Sequence, residues 1–119
     1  MRHQMKLFNE PFFRIKEGKK IIEVRLFDEK RQKVSVGDEI EFLLIDNQDE
    51  KILVKVIGLS RFESFRDLYS SFHYSMFGHP HGTILKDQIK DIEACYSKEE
   101  EEKYGVLGVH IKIIGQLDN

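Results

Sequence analysis

Gly18-Lys19-Lys20-Ile21-Ile22-Glu23-Val24-Arg25 places two cations and a carboxylate within six residues. The surrounding residues are β-branched and apolar, so Ile21 to Phe27 reads as a strand. Strand side chains alternate between faces, which puts Ile22, Val24 and Leu26 on one side and Glu23 and Arg25 on the other. Lys20 stands where Gly18 releases the chain into that strand. A carboxylate beside two cations stays ionised and well oriented. Arg25 offers a planar fork to a carboxylate, a phosphate or a base edge. Lys20 can act as a point-charge anion ligand or, if desolvated, as a base or nucleophile. The plain alternative is an ordinary ion pair on a solvated sheet face, and such pairs are worth little.

A second group lies at His73-Tyr74 and Phe77-Gly78-His79-Pro80-His81-Gly82. Histidines at i and i+2 titrate near neutral pH. A metal site needs three or four ligands, and neither cysteine nor a nearby carboxylate completes one here, so no metal is expected. Tyr74, His79 and His81 are instead candidates to cover a base by stacking. The plain alternative is an aromatic loop packed over the end of the core.

The elements that position these residues follow from periodicity and caps. Met5 to Phe8 reads as a short strand. Asn9-Glu10-Pro11 reads as a helix start with Asn9 as N-cap, and Gly18 closes that helix. Glu39 to Ile45 and Lys51 to Leu59 read as a hairpin joined at residues 46 to 50. Ser64 caps a helix over 65–71, residues 84–94 form another, and Ser97-x-x-Glu100 is a capping box opening a helix over 97–104. Glu99 to Glu102 reads as a solvated helix face. Cys95 reads as a small core residue. Val106 to Ile114 alternates as a final, interior strand. Strands precede and follow the helices without βαβ alternation, so the fold class is α+β. The expected form is a small, mostly antiparallel β-barrel of about five strands with short flanking helices.

The 119 residues, 40% apolar and 34% charged, make a single globular domain over 1–119. No apolar run approaches the ~20 residues of a membrane span. The N-terminus lacks the apolar region of a secretory signal, and one cysteine permits no intrachain disulfide; a cytoplasmic location is expected. Residues 1–36 carry a balance of +5 and residues 37–119 a balance of −7. A coat of bulk positive charge for nucleic acid is excluded, but one basic face is not. Neither a phosphate-binding Gly-rich loop nor a G-x-S-x-G elbow is present, and no cofactor is implied.

The pattern Gly18-x-Lys20-x-x-Glu23-x-Arg25 resembles the signature of the ASCH domain, within the PUA-like superfamily. The similarity continues through Leu26-Phe27-Asp28, Val36 to Phe42, Arg61 to Phe65 and Lys103 to Val109. This resemblance implies a PUA-like barrel with a cleft beside the signature, and binding of RNA or a nucleotide or modified nucleoside. Gly18, Lys20, Glu23 and Arg25 would line that cleft, with Tyr74, His79 and His81 as a lid. The resemblance also implies an alternative, since one branch of the family hydrolyses acetylated cytidine with a Lys, a Thr and a Glu. Lys20 matches that lysine, and Lys20 and Glu23 would be the catalytic pair of such an amidohydrolase. Glu23, however, stands where the branch has its threonine, and Glu63 is only a weak match for its glutamate. A carboxylate at that position favours a protonated Lys20, which binds anions well and attacks poorly. A third possibility is a protein-interaction module with an idle cleft.

Overall fold

A computed structural model describes residues 1–117. Five strands form one curled sheet: β1 (Arg2–Leu7), β2 (Ile22–Leu26), β3 (Glu39–Leu44), β4 (Asn47–Phe62) and β5 (Val106–Leu117). Their spatial order is β1-β3-β4-β5-β2. Only the β1–β3 pair is parallel; the other pairs are antiparallel. Four helices flank the sheet: α1 (Asn9–Lys16), α2 (Phe65–Ser71), α3 (Leu85–Glu93) and α4 (Lys98–Tyr104). The α+β, mostly antiparallel class expected from the sequence is the one observed. β5 is interior, between β4 and β2.

The curl has a local cause. β4 is 16 residues long and its register against β5 shifts at Leu53/Val54 and again at Val56/Gly58. Bulges of this kind bend and twist a strand. The sheet therefore wraps around Ile40, Phe42, Ile52, Val54, Val56 and Val109, all fully buried, with Phe12 and Ile15 of α1 closing the same core. A second core lies on the other face, where Phe65, Leu68 and Tyr69 of α2 pack on Ile22, Val24, Leu26 and Val106. Burying these apolar side chains contributes roughly 1.5–3 kcal/mol each relative to exposure. Gly108 of β5 permits the close approach of α2, since a Cβ there would lie 3.2 Å from Leu68 Cδ1.

Several local expectations are corrected. The hairpin between β3 and β4 turns at Ile45-Asp46, and β4 already begins at Asn47, so the connection is two residues rather than residues 46 to 50. Polar Asn47 to Asp49 imitate a loop because they sit at an exposed end of the ladder. Asn9 is the first helical residue of α1, not its cap; Phe8 holds that place without a side-chain cap. Glu101 is not merely solvated: its Oε2 accepts a hydrogen bond from the Phe65 amide at 2.7 Å and so caps α2 alongside Ser64. The Ser97–Glu100 capping box forms as the pattern requires.

Candidate functional site

β1 and β2 are the two edges of the sheet and do not pair with each other. The curl nonetheless brings them together. Arg25 of β2 donates from Nη2 to the Lys6 carbonyl of β1 at 3.0 Å, a side chain spanning the seam where the strands leave the barrel unclosed. A hollow of about 480 Å³ opens there. Lys6, Leu7, Phe8 and Pro11 form one wall; Lys20, Glu23, Val24 and Arg25 form the floor; Tyr69, Ile92 and Ala94 to Tyr96 complete it from the helical side.

Glu23 and Arg25 share the inner face of β2 because their partners across the ladder are Val109 and Leu107, both core residues. Lys20 is placed by the chain just before β2. Gly18 takes φ +76°, a left-handed conformation that suits glycine. The Lys19 and Lys20 amides then donate back to the Arg14 carbonyl at 2.8 and 3.0 Å. Ile21 donates to the Met76 carbonyl, and its own carbonyl accepts from Ile111. The backbone of Lys20 is thus held from both sides.

The three charged groups converge. Lys20 Nζ lies 2.8 Å from Glu23 Oε1, and Arg25 Nε lies 2.8 Å from Glu23 Oε2. The Glu23 side chain is 4% exposed, against 12% for Lys20 and 11% for Arg25. Burial alone would raise the Glu23 pKa, but the charges and hydrogen bonds of Lys20 and Arg25 outweigh it and bring the pKa down to about 2. For Arg25, burial acts to lower the pKa, and Glu23 reverses that into a net rise. Tyr69 is pushed upward by burial and then by the Glu23 charge, so its hydroxyl stays protonated. The result is an ionised carboxylate under two fixed donors, beside neutral phenols. That arrangement can donate to and accept from a planar polar ligand without moving a charge into the interior.

Gly18, although it positions Lys20, lines a separate hollow of about 210 Å³ with Ile15, Ile21 and Ile111 to Ile113. The His-rich loop does not roof the seam. Tyr74 Oη is 3.1 Å from His81 Nδ1 and accepts from the Gly82 amide, so the two residues brace their own loop. His79 lines a different hollow of about 550 Å³ with Glu10, Arg14, Glu17 and Lys19. Its Nδ1 is 2.9 Å from Gln88 Nε2, and burial, then Arg14 and Lys20, lower its pKa. Glu63 is exposed and lies outside the hollow at the seam. No group of three or more His, Cys, Asp or Glu among the described residues is placed to hold a metal. No helix among them is long and apolar enough to cross a membrane.

Sequence reasoning missed the helical wall. Tyr69 lies within the helix over 65–71 with nothing in its spacing to mark a site, Tyr96 belongs to no motif, and Cys95 reads as a core residue. It is exposed at the rim of the hollow instead, since α3 ends at Glu93 and the chain turns outward before α4. Tyr96 stacks on Phe65, with ring centroids 5.6 Å apart and planes 18° from parallel. The signal available was the aromatic Tyr96 between two helices, where a solvated loop has no need of one.

The comparisons agree with this architecture. The chain is 32% identical to hypothetical protein PH0355 over 96% of its own length and 100% of that chain, with a TM-score of 0.83. It is 31% identical to protein PF0455 from Pyrococcus furiosus, over 96% and 98% of the two chains, with a TM-score of 0.72. The ASCH structure from Zymomonas mobilis shares the fold at 11% identity, over 97% of this chain and 71% of that one, with a TM-score of 0.62. No curated protein matches the sequence. The family model for the ASCH domain matches residues 5–115, which take in the residues lining the seam and all or part of each strand, and the chain belongs to the ASCH domain family.

Proposed function

We propose that the chain binds single-stranded RNA, or a nucleotide or nucleoside from it, by taking a base into the hollow at the β1–β2 seam. The observation that carries this reading is the buried Glu23 carboxylate held between Lys20 and Arg25 beneath Tyr69 and Tyr96. A base has a polar edge and an apolar face. The ionic floor supplies both donors and acceptors for the edge, and the aromatic wall suits the face. About 480 Å³ falls within the range of small-ligand sites, roughly 300–1,000 Å³. Family membership supports the same ligand class. With Lys20 Nζ in contact with Glu23, its nitrogen is engaged as a donor, which favours binding over nucleophilic attack.

The test is the affinity for a mixed-sequence single-stranded RNA oligonucleotide, followed by fluorescence anisotropy. Ala94 is exposed on the rim, so Ala94→Trp fills the hollow and leaves the ion pairs intact. Ala94→Trp and Lys20→Ala are expected to weaken binding at least tenfold, with circular dichroism and thermal melts confirming the fold. Unchanged affinity in a folded Ala94→Trp variant would refute the site. Release of cytidine from its N-acetylated form by wild type, lost in Lys20→Ala, would replace binding by hydrolysis.

A further inference from the structure

Arg25 lines two hollows, not one. Beyond the seam lies a second, of about 320 Å³, walled by Gln4, Met5, Lys6, Arg25, Lys30, Arg31 and Leu43. Lys6 and Arg25 are common to both, so the two hollows adjoin at the β1 edge. Four of the seven lining residues are cations and none is a carboxylate. Lys6 and Lys30 are exposed, and neither makes an ion pair among the described residues. Arg31 is anchored from behind by Asp28, which accepts from its Nη1 and its amide at 3.0 Å each. Its Nε is buried without an acceptor.

The hollow of about 550 Å³ beside α1 is different. Along α1, Arg14 is 3.8 Å from Glu10 and Lys19 is 3.0 Å from Glu17. Both cations of that hollow are matched by carboxylates in its own wall. A polyanion following it meets only matched cations, whereas over β1 it meets Lys6 and Lys30, which have no carboxylate partner among the described residues, beside Arg25 and Arg31, which are held by Glu23 and Asp28.

We infer that the Lys6–Lys30–Arg31 hollow is a phosphodiester subsite, through which a single strand of RNA leaves the base-binding seam across β1. This rests on the reading of the seam as a base site and adds the path of the backbone. Contacts to phosphate position a strand and carry no sequence information. The subsite therefore strengthens binding of oligonucleotides of any sequence and leaves a lone nucleoside unaffected.

The experiment compares wild type, Lys30→Ala and Lys30→Glu, since Lys30 lines only the second of these two hollows and its side chain makes no ion pair among the described residues. Oligonucleotide affinity is measured by anisotropy over a range of salt concentrations, and nucleoside affinity by competition. Each phosphate released from a single strand removes roughly 0.7 from the slope of log K against log salt. Lys30→Ala is expected to lose about that much slope, Lys30→Glu to weaken the oligonucleotide further, and nucleoside competition to stay as in wild type. If both variants bind the oligonucleotide with wild-type affinity and slope while Ala94→Trp still blocks it, the subsite is wrong and the seam stands. If wild type binds no oligonucleotide, both fail.

Discussion

Glu23 is a carboxylate that would be expensive to bury alone, and its two partners make it tolerable. Its pKa of about 2 lies below the ordinary 4.5, so ionisation in the folded state is the favoured condition. A carboxylate depressed by folding stabilises the fold fully above its unfolded value and loses that contribution as pH falls through the folded one. The window here is pH 4.5 down to about 2. Asp38 acts in the same direction from 3.8 to about 2, through its hydrogen bonds to His3 and the Ser35 amide. Stability measured by urea unfolding should therefore drop across that window, and Glu23→Gln should flatten the drop while lowering stability at neutral pH. Parallel curves for the two proteins would show that Glu23 is not so held. Removing one partner of a buried pair typically costs about 3–5 kcal/mol. Arg25→Ala should approach the lower end, because Lys20 remains, and Arg25→Lys should recover part of the loss; a cost under about 1 kcal/mol would contradict the burial.

At the level of elements, the site depends on α2 resting on β5. A methyl group at Gly108 would meet Leu68 Cδ1 at 3.2 Å and Ile22 Cγ2 at 3.5 Å. Overpacking of this kind costs roughly 1–3 kcal/mol. Gly108→Ala should lower the melting temperature and, by lifting α2 and Tyr69, weaken RNA binding more than an exposed substitution such as Ile57→Thr. The floor of the site was legible in the sequence because a strand has a period of two: Glu23 and Arg25 must share a face, and Gly18 must release Lys20 beside them. The wall was not legible. Tyr69, Ala94, Cys95 and Tyr96 arrive from more than forty residues away, brought by the docking of α2 and α3, which local periodicity does not encode. The His-rich loop misled for a related reason. Its composition matches a stacking lid, yet Tyr74 and His81 bond within the loop, His79 meets Gln88 of α3, and the loop pairs with the chain at Lys20. The Asn47 to Asp49 stretch carried turn residues into an exposed strand, where exposure rather than backbone geometry set the residue types.

Across the whole molecule, the uneven charge acquires a geometry. The basic first third supplies Lys6, Lys20, Arg25, Lys30 and Arg31 to the two adjoining hollows, while Glu101 of the acidic run of α4 caps α2. Glu23 already neutralises part of that charge, so the proposed RNA complex should engage few phosphates. With roughly 0.7 per phosphate, about three contacts give a salt slope near −2. A slope of −4 or steeper would mean a far broader polyanion surface than the two hollows provide. The central claim, that the β1–β2 seam is where a base is taken in, is tested most directly by titrating isotope-labelled protein with a mixed-sequence single-stranded oligonucleotide and mapping the perturbed backbone amides. The account expects the largest shifts at Lys6 to Phe8, Lys20 to Arg25 and Ala94 to Tyr96. Shifts confined to Tyr74 to Gly82 and the facing side of α1, with the seam silent, would contradict it.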